Sequence, residues 1–227
     1  MSYTVLIPAA GSGKRMGAPQ NKMLLPLLDI PIIVRTVEQF EADENCAAIY
    51  VATKRDEREI FSEILSFSSK LKEIVDGGDE RQDSIYNMLQ QMEEHEWVMV
   101  HDGARPFISK SVLNALYESV QTNDAVICGV RPKDTLKRVN QDIVKDTVNR
   151  DEVIMVHTPQ AFSYTLLKRA YEHAYAQNLV VTDDSMMVEA LGERVHVVES
   201  DYNNIKITTQ DDMLTGERIL LGRDNHV

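Results

Sequence analysis

Short apolar runs alternate with longer amphipathic stretches along this chain. Thr4–Ile7, Ala48–Ala52, Glu73–Val75, Trp97–His101 and Ala125–Val130 have the length and content of buried strands. Between them, Ile32–Glu41, Asp56–Phe67, Arg81–Met92 and Ser111–Gln121 repeat apolar residues at helical spacing. That alternation predicts βαβ units, and so an α/β fold with a mostly parallel, Rossmann-like sheet flanked by helices on both faces. Beyond residue 160 the pattern predicts helices near Thr165–Ala176 and after Thr182, strands near Arg194–Val198 and at Asn204–Ile207, and a last helix after Thr209. No repeat, low-complexity stretch or long Pro/Gly linker interrupts it, so residues 1–227 are expected to form a single domain.

One segment departs from the pattern, at about residues 132–151. Thr135–Val139 and Ile143–Val148 flank Asn140-Gln141-Asp142, which reads as a protruding β-hairpin arm. A lone two-stranded hairpin is marginal in water and needs something to pack on. A second subunit would serve, and so would the edge of its own sheet; spacing alone does not choose between them.

The first strand runs into Pro8-Ala9-Ala10-Gly11-Ser12-Gly13-Lys14-Arg15-Met16-Gly17. Glycines let backbone N–H groups curl around phosphate oxygens, and Arg15 and Lys22 add a donor fork and a point charge. Charge sharpens the picture. The formal net charge is −12, yet the first 28 residues hold three cations and no acid, leaving −15 on the remainder. A small basic island on an acidic chain suits a small polyanion and argues against nucleic acid or an anionic membrane surface. The glycine spacing, G-x-G-x-x-x-G, is neither a dinucleotide fingerprint nor a P-loop, which disfavours a dehydrogenase. The alternative is a tight turn with solvated cations, which leaves the clustering unexplained.

Other motifs have bland readings of comparable weight. In Gly77-Gly78-Asp79-Glu80-Arg81-Gln82-Asp83-Ser84, Asp79 and Gln82 have the spacing of a capping box, while Ser84 and the turn backbone suit the edge of a base. His101-Asp102 closes a strand. Asp102 is placed to meet a metal–phosphate complex or to pair with Arg105, and His101 reads as a satisfied histidine under the sheet. Thr182-Asp183-Asp184 suits a helix N-terminus. Lys206, between Ile205 and Ile207, is expected to reach an anion or a carboxylate. Cys46 and Cys128 match no metal spacing and suit a reducing compartment; the chain opens directly on a strand without a signal-peptide pattern, so a cytoplasmic location is expected. No nucleophile constellation is present, and a phosphate monoester needs none to attack another phosphorus, being largely dianionic at pH 7.

In order and spacing, PAAGSGKRMG, Asn21-Lys22, GGDERQDS, VHDGARPF, DTLKR, HTPQAF, TDDS and NIKITT resemble the 2-C-methyl-D-erythritol 4-phosphate cytidylyltransferases over nearly the whole chain. The resemblance implies the nucleotide-diphospho-sugar transferase type of α/β fold. It also implies transfer of a cytidylyl group from CTP to methylerythritol phosphate, with release of pyrophosphate, in non-mevalonate isoprenoid synthesis. Carried over residue by residue, it makes Arg15 and Lys22 the transition-state cations. Ala9, Ala10, Gly11, Ser12, Gly78, Asp79, Arg81 and Ser84 become the CTP cradle. Asp102, Thr135, Arg150, Thr158, Thr182, Asp183 and Lys206 are implied to lie about the alcohol phosphate. It further implies Mg²⁺ or another divalent cation held mostly by the triphosphate, and a homodimer in which the arm lends Thr135 and Arg150 to the neighbouring site. Two departures stand out: Asn21-Lys22-Met23 where many members have Pro-Lys-Gln, and Val153–His157 before Thr158-Pro159-Gln160. A ribitol-5-phosphate cytidylyltransferase is the nearer alternative, disfavoured by PAAG and by Thr135–Arg138. A non-catalytic nucleotide-sensing subunit is the more distant one, disfavoured by retention of Arg15 and Lys22.

Overall fold

A computed structural model describes residues 2–11 and 21–224. Five strands named by the apolar runs form as expected: β1 (Tyr3–Pro8), β4 (Cys46–Thr53), β5 (Leu71–Asp76), β6 (Trp97–Val100) and β7 (Ala125–Val130). They join β10 (Met155–Ser163) and β11 (His196–Glu199) in a seven-stranded sheet of order β11-β7-β10-β6-β1-β4-β5. β10 runs antiparallel to both its neighbours; the other pairs are parallel.

Side chains alternate across the sheet as the pleat requires. Val5 and Ile7 of β1 enter one core with helices α1 (Ile32–Glu41), α2 (Arg58–Ile64) and α4 (Lys110–Asn123). Leu6 enters the other, with α3 (Arg81–Gln91), α5 (Tyr164–Ala176) and α6 (Asp184–Ala190). These three β1 residues are wholly buried, and each such side chain stabilises the fold by roughly 1.5–3 kcal/mol. The last helix, α7 (Gln210–Asp224), packs Gly216 against Phe107; a Cβ there would come within 2.9 Å of the ring.

Four readings of the sequence are corrected. The antiparallel β10 was not anticipated, because Pro159 and polar neighbours argue against a central strand. The strand accommodates them with an irregular register between His157 and Gln160, so Thr158 and Pro159 are left out of the ladder with β7. Asn204–Ile207 is not a strand but an irregular connection, entered through a turn in which Ile205 N donates to the Asn203 carbonyl at 2.7 Å. The helix expected over Asp56–Phe67 is a 3-10 turn, Arg55–Glu57, followed by the shorter α2. The cap of α3 is Glu80, not Asp79: Glu80 and Asp83 form the reciprocal box, with Glu80 N donating to Asp83 Oδ2 at 2.9 Å.

Two ribbons stand outside the main sheet. β2 (Pro26–Leu27) and β3 (Ile30–Pro31) form a tight hairpin whose turn residues, Leu28 and Asp29, both have positive φ. The expected arm is β8 (Lys137–Asn140) and β9 (Ile143–Thr147), joined through Gln141 and Asp142, again both at positive φ.

Candidate functional site

In an open α/β sheet ligands bind beyond the carboxyl ends of the strands, where successive connections leave in opposite directions. Here that point is β1, flanked by β4 on one side and β6 on the other. A cleft of about 720 Å³ opens there. Its walls are the ends of β1 (Pro8, Ala10, Gly11), β4 (Lys54, Arg55), β5 (Gly77–Asp79) and β6 (Asp102–Ala104), with Lys22 and Lys206 brought in from elsewhere.

Close backbone approach makes the glycine turn after β5. A Cβ on Gly77 would lie 2.5 Å from Ala10 Cβ, and one on Gly78 would lie 2.2 Å from Asp83 Cβ. Gly78 N donates to Ser84 Oγ at 3.1 Å, so the buried hydroxyl braces the turn from below. Across the cleft, a Cβ on Gly11 would meet no atom of the described residues within 4 Å.

Asp102 is the electrostatic centre. Its Oδ1 accepts from Arg81 Nε at 2.9 Å, and its Oδ2 lies 2.8 Å from Lys206 Nζ and 3.7 Å from Arg105 Nε. Burial alone would raise its pKa, but Arg81 and Lys206 outweigh burial and hold the carboxyl well below the usual range. The Asp102 backbone N–H donates to Thr158 Oγ1 at 2.9 Å, and that hydroxyl lies 3.2 Å from His101 Nδ1. His101 Nε2 is 2.9 Å from the Arg105 carbonyl, which can only accept, so the imidazole proton sits on Nε2. Burial pushes the His101 pKa down to about 4, leaving a neutral, structural ring.

Lys22 sits in a 3-10 turn, Lys22–Leu24, beneath the cleft. Its Nζ donates to the Ile207 carbonyl at 3.0 Å. Asn21 fixes that turn: its amide donates to the Ala9 carbonyl at 2.8 Å and to Glu57 Oε2 at 2.7 Å, and its oxygen accepts from Met23 N at 3.0 Å. The segment carrying Lys206 is anchored in turn. Arg105 Nη1 donates to the Asn204 carbonyl at 2.7 Å, and Ile207 N donates to the Ala104 carbonyl at 2.8 Å. The missing strand at 204–207 is thus replaced by side-chain and loop anchors that aim Lys206 at Asp102.

Of the residues singled out from the sequence, Ala10, Gly11, Lys22, Gly78, Asp79, Arg81, Ser84, Asp102 and Lys206 converge on this cleft. Ala9 lies fully buried just behind it. Thr158 is buried beside Asp102, and Asp183 caps α6, accepting from Met186 N at 3.1 Å and from Gln160 Nε2 at 2.8 Å. Thr182 is exposed, with its hydroxyl 3.9 Å from Met186 Sδ. Thr135 and Arg150 stand exposed on the arm, where Arg150 Nη1 donates to the Lys133 carbonyl at 2.9 Å. Ser12 and Arg15 lie outside the described residues. Lys54 and Arg55 escaped notice in the sequence because they follow a strand without a glycine signal. Asp184 escaped because two successive acids looked like one helix start.

Known proteins resemble this chain over nearly all its length. The family profile for 2-C-methyl-D-erythritol 4-phosphate cytidylyltransferase matches residues 3–222. A protein of that name from Lysinibacillus sphaericus is 46% identical over 225 residues, covering 98% of this chain and 97% of the relative. One from Shouchella clausii is 43% identical over 229 residues, covering 100% of both. Among solved structures, a 4-diphosphocytidyl-2C-methyl-D-erythritol synthase from Anaerococcus prevotii superposes with a TM-score of 0.87 at 32% identity, covering 97% of this chain and 96% of that one. The 2-C-methyl-D-erythritol 4-phosphate cytidylyltransferase of Francisella tularensis gives 0.81 at 33% identity, covering 95% and 98%.

Proposed function

The chain belongs to the 2-C-methyl-D-erythritol 4-phosphate cytidylyltransferase family, and from that premise we infer how its cleft works. The reaction joins CTP and 2-C-methyl-D-erythritol 4-phosphate, giving 4-CDP-2-C-methyl-D-erythritol and pyrophosphate, in non-mevalonate isoprenoid precursor synthesis. A phosphate oxygen of the alcohol phosphate attacks the α-phosphorus of CTP. The bond from that phosphorus to the β-phosphate oxygen breaks, and pyrophosphate departs with the electron pair. No proton need be removed from the dianionic nucleophile. The protein's task is alignment and neutralisation of charge.

Two glycine-bearing walls, Ala9–Gly11 and Gly78–Ser84, suit the nucleotide, and the sequence resemblance adds Ser12 to them. Lys22, joined by Arg15 from the sequence resemblance, neutralises charge that grows on the α-phosphoryl oxygens and pyrophosphate. Asp102, Lys206, Thr158, Thr182 and Asp183 surround the alcohol phosphate, and Thr135 and Arg150 reach it from the arm of a second subunit. Among the described residues no group of three or more metal-binding side chains forms. A divalent cation, Mg²⁺ or another, would be held mostly by the triphosphate, with Asp102 as the carboxylate that the protein would offer it. Such an ion supplies charge neutralisation to the transferring phosphoryl group. The enzyme on this reading is a homodimer of single-domain subunits working in the cytoplasm. Among the described residues no helix is long and apolar enough to cross a membrane.

The observation that carries the reading is the convergence of Lys22, Arg81, Lys206 and Asp102 on a glycine-walled cleft at the sheet's switch point. Its test is pyrophosphate release from CTP with methylerythritol phosphate and, separately, with ribitol 5-phosphate. Turnover is expected with the first alone. Lys22→Met should lower kcat by at least roughly a hundredfold with little change in KM, as expected for a contact that strengthens in the transition state. Turnover only with ribitol 5-phosphate, or an unimpaired Lys22→Met enzyme, would contradict it.

A further inference from the structure

Asp184 is the first residue of α6 and is wholly buried. A carboxylate at a helix start is ordinarily explained by the cap or the dipole. Here that work is already done. Asp183 accepts from Met186 N, and Gln160 Oε1 accepts from the backbone N–H groups of Asp184 and Ser185 at 3.1 and 3.0 Å. The Asp184 carboxylate points elsewhere. Its Oδ2 accepts from Arg81 Nη2 at 2.8 Å, and its Oδ1 accepts from Tyr171 Oη at 2.5 Å. Burial, and then the charge of Asp184, push the Tyr171 pKa well above its ordinary value, so the phenol stays a donor. Burying a carboxylate is costly unless its partners are well placed, so these contacts need a purpose that the helix does not supply.

That purpose lies one side chain away. Arg81 holds Asp184 with one nitrogen and Asp102 with another. We propose that Asp184, backed by Tyr171, is a positioning residue of the catalytic cleft: it fixes and neutralises the Arg81 guanidinium so that Arg81 orients Asp102 without cancelling its charge. The role rests on the reading of the cleft given above. Three cations, Arg81, Arg105 and Lys206, face Asp102. With Asp184 present, one of them is shared. Without its charge, Arg81 is left with Asp102 alone and gains freedom to turn toward the anionic ligand. The cleft then becomes more positive but less ordered.

This gives a signature that a merely structural role would not produce. Asp184→Asn should bind CTP, titrated calorimetrically with Mg²⁺ present, as tightly as the wild type or up to severalfold tighter. Its kcat should fall at least tenfold. Tyr171→Phe keeps the ring in the core and removes only the hydroxyl; it should shift both quantities in the same directions by about threefold, and it carries the test alone if Asp184→Asn does not fold. Wild-type kcat in the folded variants would overturn the proposal. So would a loss of kcat matched by a proportional loss of CTP affinity and a lower thermal midpoint. A wild-type protein that releases no pyrophosphate from CTP and methylerythritol phosphate would instead overturn the functional reading, and this role with it.

Discussion

Arg55 shows how a residue gains meaning from position rather than from motif. It is exposed, lines the cleft on the β4 side, and makes no hydrogen bond or ion pair with another described residue; its neighbour Lys54 has Glu57 at 3.7 Å. The phosphate-seeking cations, Lys22 and Lys206, stand with Asp102 on the β1–β6 side. A nucleotide with its phosphates there would have its base or ribose toward Gly77-Gly78 and Arg55. A charge-assisted contact at such an open site is worth about 1 kcal/mol, so Arg55→Ala should raise KM for CTP roughly fivefold. KM for the alcohol phosphate and the unfolding midpoint should stay unchanged; equal effects on both substrates would count against this placement. His101 carries a different prediction, for stability. Its ordinary pKa of 6.5 falls to about 4 in the fold because burial disfavours the charged ring. The unfolded chain therefore takes up the proton first, and stability present above about pH 6.5 is lost as pH falls toward 4. Asp102 does not contribute in that window, since its pKa is lowered from 3.8. Urea midpoints at pH 7 and pH 5 should reveal a loss of about 2 kcal/mol from His101. His157, also pushed down to about 4 by burial, adds to it, so the drop should persist in His157→Asn. Equal midpoints at the two pH values would refute the assignment.

Among elements, the glycine turn after β5 is the most exacting. A Cβ on Gly78 would sit 2.2 Å from Asp83 Cβ and 3.2 Å from the Asp83 carbonyl carbon, so the first turn of α3 would have to move. Gly78→Ala should cost about 1–3 kcal/mol and raise KM for CTP, because the same shift disturbs the Glu80–Asp83 box and Arg81 within it. Denaturant unfolding and CTP titration check the two halves; an unchanged CTP affinity would separate the turn from the nucleotide. This element was legible in the sequence as a turn at a strand's carboxyl end, although the cap itself lies one residue later than the spacing suggested. The parallel strands were legible for the same reason: each is short, apolar and bounded by turns. β10 was not, because its pairing depends on two neighbours remote in sequence and on an irregularity that hides Pro159. Local pattern carries no record of such partners. Likewise Lys206 was legible as a lysine seeking a carboxylate, but the Asn204–Ile207 anchors come from Arg105 and Ala104, a hundred residues away in the chain.

At the scale of the whole molecule the arm leaves apolar side chains outside both cores. Val139, Ile143 and Val144 are 61%, 73% and 56% exposed, and β8 and β9 are linked to each other by Arg138–Asp146 at 2.9 Å and Lys137–Thr147 at 2.6 Å. Beyond their backbone ladder, the two strands gain little from exposed side-chain pairs. Its apolar residues would gain more if covered, and each buried aliphatic side chain contributes roughly 1.5–3 kcal/mol. A second copy covering the arm would also bring Thr135 and Arg150 to a cleft that neither reaches in its own subunit. Placing Asp at 139, 143 and 144 together should therefore give a monomer by sedimentation, where the wild type is expected to run as a dimer. The seven-stranded core should keep its unfolding midpoint within about 1 kcal/mol, because these residues lie outside both cores. Turnover should fall through KM for the alcohol phosphate, while CTP affinity, set by residues of one subunit, stays as it was. A monomeric wild type, or a dimeric triple variant with full activity, would show that the arm has another use.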